Sequence, residues 1–400
     1  MSSFSIDEAT RYFNQLLTEQ LERTQRIENQ SEWVDYSNAD SITIGICWGD
    51  GIGEEISNHA QSVLEHCLKS AIDSNKIIIK QIKGLTIENR AAKKTAIPDD
   101  VLTELKACDV ILKGPTTTPQ KGDKWPNIES ANVAMRRELD LFACVRPINV
   151  PSLGIDWTFF RENTEGAYML GSRGIDVDNQ FSIDFKVISN PGAERIIRLA
   201  FEYAKKNNKK QVSVVTKSNV IKASDGRFSE LAHSIAKEYT QYGIQCDEWY
   251  IDIMAAKLID PARQKDFEVF VMPNLYGDIL TDQAGQIQGG VGSAGSANIG
   301  KKYAMFEAIH GSAPRMIQEG RLQYADPCSM IKAAALLCRH IGHIESADKI
   351  EKALDICTQF EQRLHITGRS NGTTGQAFTQ YLLEWIQNPT LDETWQSYQH

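Results

Sequence analysis

From Ser41 onward the sequence alternates short runs of β-branched residues with longer stretches of helical periodicity, and this alternation constrains the fold most. Predicted strands lie in SITIGIC, KIIIKQIKG, ACDVILKG, QVSVVTK and FEVFVMPN, and predicted helices in ISNHAQSVLEHCLKSA and AERIIRLAFEYAKKN. Strands separated by helices are typical of an α/β fold with a central sheet. Because 400 residues exceed the usual size of a single compact core, we expect two domains.

Charge and cysteine usage narrow the class of protein. The formal net charge of −9 disfavours nucleic acid or an anionic membrane as a partner, so an anionic substrate would need a local basic cluster. The eight cysteines are scattered without a CxxC pair, which suits a reducing compartment rather than a disulfide framework. No apolar run reaches the length of a membrane span, and the first twenty residues lack the features of a targeting peptide. We therefore expect a cytoplasmic protein that makes no membrane contact.

Residues 5–29 are predicted to form an amphipathic helix, followed by a polar linker to Asp40. Ser5 and Glu8 have the spacing of a capping box, in which each side chain bonds the backbone N–H of the other residue. Apolar residues then recur at helical intervals, at Ala9, Tyr12, Phe13, Leu16, Leu17 and Leu21. We expect this helix to pack on its own core or on a second subunit, and an arm that docks a partner is the alternative.

The loop GDGIG, from Gly49 to Gly53, follows the first of these strands and has two interpretations. A dinucleotide-binding loop would have the full GxGxxG spacing, with an acidic residue ending a later strand, and neither is clear here. A tight turn at the end of a strand is the better interpretation.

A local basic cluster is predicted in the middle of the chain. It comprises Ser130, Asn132, Arg136, Arg146 and Arg161. Arginine stays charged and binds carboxylates in a bidentate manner, and the hydroxyl and amide add neutral hydrogen bonds. The set therefore suits a small polycarboxylate, although each residue taken singly is more typical of a surface salt bridge.

Two motifs carry candidate catalytic and metal-binding residues. TKSNVIK places Lys217 and Asn219 at the end of a strand, where α/β folds bind ligands, and Lys217 is either a general acid or base or a solvated surface residue. NLYGDILTD places Asp278 and Asp282 one helical turn apart, an arrangement that repels unless a counter-charge such as Mg²⁺ or Mn²⁺ is present. Asp252 is the candidate third carboxylate, with an ordinary helix-surface position as the alternative.

FEAIHGSAPRM contains Glu307 and His310 before a loop of small residues. A lone histidine is more often structural than catalytic, so this motif acquires a function only from its context.

Taken together, these motifs resemble those of a known family. GDGIG, KGPTTTP, SANVAMRRELDLFACVRP, RENTEGAY, TKSNVIK, NLYGDILTD and HGSAP occur in the order found in isocitrate and isopropylmalate dehydrogenases, and the resemblance runs from Ser41 to Ile386. It implies an α/β fold that is not a Rossmann fold. A large cofactor-binding domain would comprise residues 41–141 and 288–400, and a smaller dimerisation domain residues 142–287, with residues 1–40 as a helical extension and linker.

The resemblance also implies roles for individual residues. Ser130, Asn132, Arg136, Arg146 and Arg161 would bind the substrate carboxylates, and Asp252, Asp278 and Asp282 the divalent metal. Tyr168 and Lys217 would be catalytic, with Lys217 and Asp252 supplied by the neighbouring subunit of a homodimer that shares its active sites. Residues implied to face the cofactor are Thr118, Asn219, Glu307, His310, Gly311, Ser312, Ala313, Arg315, Met316 and Asp326.

The implied reaction is the metal-dependent oxidation and decarboxylation of isocitrate. Ser130 and Asn132 resemble the pair that contacts the γ-carboxylate in isocitrate enzymes, whereas isopropylmalate enzymes have an apolar residue there. The extra KWPNIE before Ser130 keeps a longer homologue such as homoisocitrate open. A non-catalytic regulatory subunit is the alternative from another class, but it would lack part of the Tyr168, Lys217 and aspartate set.

NAD is the expected cofactor, with NADP as the alternative. NADP-dependent isocitrate enzymes have a Lys-Tyr pair after HGTAP and a tyrosine and an arginine in a downstream segment. Here Arg315 and Met316 stand at the first place and TGRSNG at the second, so both tyrosines are absent. Arg315 and Arg369 are the residues that could still bind a 2′-phosphate.

Overall fold

The computed structural model of the protein describes residues 3–29, 32–120, 122–171, 173–290 and 294–398. The chain forms two compact units. Unit 1 contains the N-terminal segment to Glu32 and Asp140–Ile287, and unit 2 contains Trp33–Leu139 and the chain from Gln288 onward. The predicted 1–40 extension is therefore not a unit of its own, because its helix belongs to unit 1 and the following segment to unit 2.

The strands of the described residues are β1 (Ser3–Phe4), β2 (Ile42–Cys47), β3 (Ile77–Ile82), β4 (Val110–Lys113), β5 (Ala143–Val150), β6 (Ile155–Glu162), β7 (Ile175–Val177), β8 (Phe181–Ile183), β9 (Gln211–Thr216), β10 (Gln245–Tyr250), β11 (Val269–Met272), β12 (Gly295–Ile299) and β13 (Ala304–Ala308). The helices are α1 (Ile6–Glu28), α2 (Gly53–Cys67), α3 (Lys69–Asp73), α4 (Ile87–Lys93), α5 (Asp99–Lys106), α6 (Ala131–Glu138), α7 (Asn190–Lys206), α8 (Ser224–Tyr239), α9 (Ile251–Leu258), α10 (Asn274–Ile287), α11 (Pro314–Gln318), α12 (Cys328–His340), α13 (Ile344–Asp355), α14 (Gly375–Ile386) and α15 (Leu391–Ser397). All the strands and helices predicted above are present, and the α/β class is confirmed.

Unit 1 is built on a sheet in the order β10-β9-β11-β6-β5. Pairing is parallel from β10 to β6, and β5 pairs with β6 in the antiparallel direction. β9 and β11 are almost wholly buried, as expected for parallel strands covered by helices on both faces. A second, smaller sheet has the order β1-β7-β8.

Unit 2 has strands in the order β12-β13-β4-β2-β3, with β12 and β13 antiparallel and the others parallel. Helix α12 contacts β12 and β13 and is buried along most of its length, including Met330, Ile331 and Leu337. Buried parallel strands end at one edge of the sheet, and the loops that leave β2, β4 and β13 carry the motifs considered below.

Helix α1 begins as the capping box predicts. The backbone N–H of Ser5 donates to Glu8 Oε2 at 2.9 Å, and the backbone N–H of Glu8 donates to Ser5 Oγ at 3.4 Å. Its buried face differs from the predicted one, because Leu16 and Ile27 are buried whereas Phe13, Leu17 and Leu21 are exposed. The helix packs on unit 1 of its own chain, which confirms the first of the predicted alternatives.

No helix in the described part of the chain combines the length and the apolar character that crossing a bilayer requires.

Candidate active site

Arg161 and Asp278 are brought together at the end of β6. Arg161 lies opposite Met272 in the parallel pairing of β6 with β11, and α10 begins two residues after Met272. The guanidinium donates to Asn274 Oδ1 from Nε at 3.0 Å and pairs with the Asp278 carboxylate. The close approach requires Gly277, because a Cβ there would lie 2.4 Å from Arg161 Cγ.

Tyr168 and Arg146 complete this cluster in unit 1. The Tyr168 hydroxyl donates to Asp278 Oδ2 at 2.7 Å. Arg146, on β5, donates to Thr281 Oγ1 at 2.5 Å and to Asp282 Oδ1 at 3.0 Å. The two aspartates of α10 are therefore each paired with a buried arginine, which supplies the counter-charge that their spacing requires.

Lys217 and Asp252 form a second pair in unit 1. β9 and β10 are parallel, with Thr216 opposite Tyr250, so the residues just beyond their ends meet. Lys217 Nζ lies 2.5 Å from Asp252 Oδ1, and this hydrogen bond lowers the pKa of the Asp252 carboxyl below its ordinary value. Within the described residues no three acidic, histidine or cysteine side chains gather in a metal-binding group, so a single chain does not join Asp252 to the aspartates of α10.

In unit 2, Glu307 forms a buried ion cluster rather than an open contact surface. Its carboxylate lies 3.1 Å from Lys113 Nζ and 3.3 Å from Arg136 NH2, and it accepts from Asn298 Nδ2 at 2.9 Å. Burial raises the pKa of Glu307, but the charges of Lys113 and Arg136 outweigh burial and lower the pKa to about 2. Glu307 thus stays ionised and holds Arg136 on α6 in place.

Ser130 and Asn132 lie at the start of α6, and Arg136 lies in its last turn. Ser130 directly precedes the helix without capping it by its side chain, and Asn132 Oδ1 accepts from the Thr116 hydroxyl at 3.0 Å. Arg136 is buried, and its Nε has no hydrogen-bond partner among the described residues. A buried donor without a partner is costly, so an anion that accepts from it would be stabilised.

The HGSAP loop follows β13 in unit 2. Ala313 has a left-handed backbone (φ 45°, ψ 54°), which turns the chain into α11. The Ser312 and Thr117 hydroxyls lie 2.8 Å apart, whereas Gly311 has open space where a side chain would be. His310 Nδ1 lies 3.0 Å from the Gly311 carbonyl oxygen of the same loop.

The remaining residues predicted to face the cofactor are dispersed. Arg315 lies on α11 with 83% of its side chain exposed and is paired with Glu319 at 2.5 Å. Thr118 and Asn219 are exposed, in unit 2 and unit 1 respectively. Asp326 helps line a cavity of about 220 Å³ in unit 2, together with His365 and Ile366.

The family is decided by comparison with known proteins. The sequence model of the family described as isocitrate/isopropylmalate dehydrogenase matches residues 43–363. The chain belongs to this family. The match leaves out α1 and the segment that follows it.

Individual relatives of this chain are named for different activities. The NADP isocitrate dehydrogenase of Rickettsia prowazekii (strain Madrid E) is 40% identical over 322 residues, which cover 78% of this chain but only 62% of that enzyme. The homoisocitrate dehydrogenase of Methanocaldococcus jannaschii is 37% identical over 77% of this chain and 88% of that enzyme. The crystal structure of isocitrate dehydrogenase from Methylococcus capsulatus superposes with a TM-score of 0.73 at 32% identity, covering 87% of this chain and all of that one.

The residues of this chain fit a divalent metal and a nicotinamide cofactor. Asp278 and Asp282 expose 39% and 58% of their side chains on one face of α10, and carboxylate oxygens are the ligands that Mg²⁺ and Mn²⁺ prefer. The open backbone at Gly311 and the left-handed turn at Ala313 leave the HGSAP loop accessible to a cofactor.

Asp225 is a supporting residue of unit 1 that the sequence did not predict. Asp225 is buried on α8 and accepts from the backbone N–H of Lys217 at 2.8 Å and from the Tyr276 hydroxyl at 2.8 Å. Asp225 therefore links the strand end that carries Lys217 to α10. Asp225 lies in the sequence TKSNVIKASDG, close to Lys217. Nothing in the neighbouring residues distinguishes a buried aspartate at this place from one that caps a helix.

Arg90 and Asp50 support the loop between Thr117 and Glu129 in unit 2. Arg90 is fully buried and donates to the carbonyl oxygens of Thr117 at 2.9 Å and Glu129 at 3.3 Å, at both ends of the loop before Ser130. Asp50 accepts from the backbone N–H of Thr117 at 2.7 Å. The GDGIG loop is thus a turn that braces neighbouring loops, as the structural interpretation of this motif predicts.

Proposed function

We propose that the protein catalyses the oxidative decarboxylation of isocitrate to 2-oxoglutarate and CO₂ with NAD as the oxidant and Mg²⁺ or Mn²⁺ as the metal. The observation that carries the proposal is helix α6, which has the polar residues Ser130 and Asn132 at its start and the buried Arg136 in its last turn. These groups suit the γ-carboxylate of isocitrate. They suit the isopropyl group of isopropylmalate poorly.

The arginines account for recognition of the remaining carboxylates. Arg146 and Arg161 are buried in unit 1, and each already holds a carboxylate, that of Asp282 or Asp278, through its NH1 nitrogen. When Asp278 and Asp282 bind the metal, the two arginines would release part of their contacts with these aspartates and bind the substrate carboxylates instead. A bound metal would supply a Lewis acid that draws electron density from the hydroxy acid, and Asp278 and Asp282 would hold it with Asp252 of a second subunit.

Lys217 and Tyr168 carry the proton transfers in this proposal. Lys217 would take the proton from the 2-hydroxyl as the hydride leaves C2 for NAD. After CO₂ is lost, Tyr168 would protonate the enolate carbon, and its hydroxyl is oriented by the hydrogen bond to Asp278. The pairing of Lys217 with Asp252 holds the amine at the end of β9.

The substrate is tested with purified protein and Mn²⁺, comparing isocitrate, homoisocitrate and 3-isopropylmalate. Isocitrate should be favoured over isopropylmalate by about tenfold or more in kcat/KM, because an unpaired buried polar group costs roughly 1–3 kcal/mol. Removing the metal with EDTA should abolish turnover, and Mn²⁺ should restore it. Equal rates on isocitrate and isopropylmalate would overturn the substrate assignment.

Homoisocitrate is the second candidate substrate because of one local feature. The loop before Ser130 contains the extra residues KWPNIE, and within it Lys124 Nζ lies 4.5 Å from the centre of the Trp125 ring. The relative from Methanocaldococcus jannaschii, which is named for homoisocitrate, also aligns over most of its own length. A higher kcat/KM on homoisocitrate than on isocitrate would assign the protein to that reaction.

The proposal of NAD rests on the state of Arg315. Its guanidinium is paired with Glu319 and solvent-exposed, so it would contribute at most about 1 kcal/mol to binding a 2′-phosphate. We expect a higher kcat/KM with NAD than with NADP, and Arg315→Asp should widen that difference by repelling the phosphate. A wild-type preference for NADP that Arg315→Ala or Arg369→Ala removes would contradict the proposal.

A further inference from the structure

Helix α1 contacts the segment that carries two proposed active-site residues, Arg161 and Tyr168. Arg23, near the end of α1, donates to Glu165 Oε1 at 2.8 Å, and its NH2 lies 3.4 Å from both the carbonyl oxygen and the hydroxyl of Thr164. The Glu165 side chain is fully buried and that of Arg23 is 13% exposed. This is a buried ion pair between the N-terminal helix and the middle of segment 161–168.

Glu165 connects Arg23 to the active-site side chains. Its backbone carbonyl accepts from Asn274 Nδ2 at 3.2 Å, and Asn274 Oδ1 accepts from Arg161 Nε at 3.0 Å and NH2 at 2.6 Å. Its carboxylate also accepts from the backbone N–H of Ser189 at 2.9 Å. The position of Glu165 therefore affects both the backbone leading to Tyr168 and the side chain that holds the Arg161 guanidinium.

A second contact holds the chain beyond Tyr168. Arg173 donates to Tyr12 Oη at 3.2 Å and to Glu19 Oε1 at 3.1 Å, both on α1. Helix α1 thus contacts the chain on both sides of Tyr168. Leu16 and Ile27 of α1 are buried, and Phe13 stacks on Phe185, so these polar contacts accompany apolar ones in its docking.

Two buried glutamates in segment 161–168 favour a positive charge where Arg23 lies. Glu162 and Glu165 are both buried without solvent exposure. Burial, followed by the charge of Glu165, raises the pKa of Glu162 to about 7, and the charge of Arg195 opposes this. Without Arg23, the Glu165 carboxylate would lose its ion pair while remaining next to another buried acid, and we expect the segment to shift.

We propose that α1 clamps segment 161–168 and that Arg23 is a positioning residue for Arg161 and Tyr168. Helix α1 lies outside the residues 43–363 that match the family, whereas the segment that it clamps lies within them. The kinetic part of its test rests on the proposed function.

The test compares Arg23→Gln with Arg26→Gln, which removes an exposed arginine from the same helix. We expect Arg23→Gln to lower kcat about tenfold or more and to raise KM for isocitrate about tenfold, because displaced positioning groups weaken both binding and chemistry. KM for NAD should stay unchanged, Arg23→Lys should recover part of the loss, and Arg26→Gln should match wild type. If Arg23→Gln only reduced the fraction of folded protein, apparent kcat would fall but KM would stay unchanged.

Hydrogen–deuterium exchange of the full chain supplies a readout independent of turnover. Amides of residues 161–174 should exchange faster in Arg23→Gln than in Arg26→Gln. If Arg23→Gln does not fold, the doubly substituted R23Q/E165Q, which leaves no buried unpaired charge, takes its place with the same expectations. If the folded variant has the same KM, kcat and amide exchange as wild type, the proposal of a clamp is overturned. Failure of wild type to turn over any of the three hydroxy acids would overturn the proposed function, while exchange still decides the clamp.

Discussion

At the scale of single residues, the hydroxyl of Tyr168 and the amine of Lys217 lie in different clusters of unit 1, beside Asp278 and Asp252 respectively. We expect them to serve different steps. Tyr168→Phe should impair the overall reaction about 10²-fold or more but spare reduction of the oxalosuccinate intermediate, whereas Lys217→Met should impair both, because the hydroxyl proton takes part in each. Steady-state rates of the two reactions measure this, and equal losses for both variants in both assays would contradict the division.

At the scale of elements, Glu307 on β13 holds β4 and α6 together through Lys113 and Arg136. Its pKa is about 2 in the folded protein against an ordinary 4.5, so the stabilisation is fully present above pH 4.5 and is lost as pH falls towards 2. Glu307→Gln should lower the free energy of unfolding at pH 7 by roughly 3 kcal/mol and flatten its acid dependence. Urea unfolding at several pH values tests this, with exposed Glu65→Gln as the control, and an unchanged pH slope would refute it.

At the scale of the whole molecule, we propose a homodimer in which Lys217 and Asp252 serve the active site of the neighbouring subunit. Mixed dimers of Lys217→Met and Tyr168→Phe chains, isolated with two different tags, should then regain about half of the wild-type activity, because one of their two sites is intact. Both parent dimers are the controls. Mixed dimers no more active than the parents would show that Lys217 and Tyr168 act within one chain.

The sequence by itself determined the local features of this protein. Strand and helix periodicity predicted the α/β class and elements such as β2, β9 and α7, and the spacing of Ser5 and Glu8 predicted the start of α1. The order of the motifs also sufficed to predict the family, which the match over residues 43–363 confirms. These features depend on residues close together in the chain, where side-chain period and capping geometry are encoded directly.

Only the tertiary structure decided which charges meet. Lys113 pairs with Glu307 across 194 positions and Arg23 with Glu165 across 142, and no spacing rule relates such distant residues. For the same reason, the sequence did not predict that Glu307 is buried in an ion cluster, or that the apolar residues Phe13 and Leu17 of α1 are exposed. Local periodicity predicts that α1 has an apolar face and a polar face. The pairing of Arg23 with the buried Glu165 carboxylate helps to decide which face of α1 is turned towards unit 1.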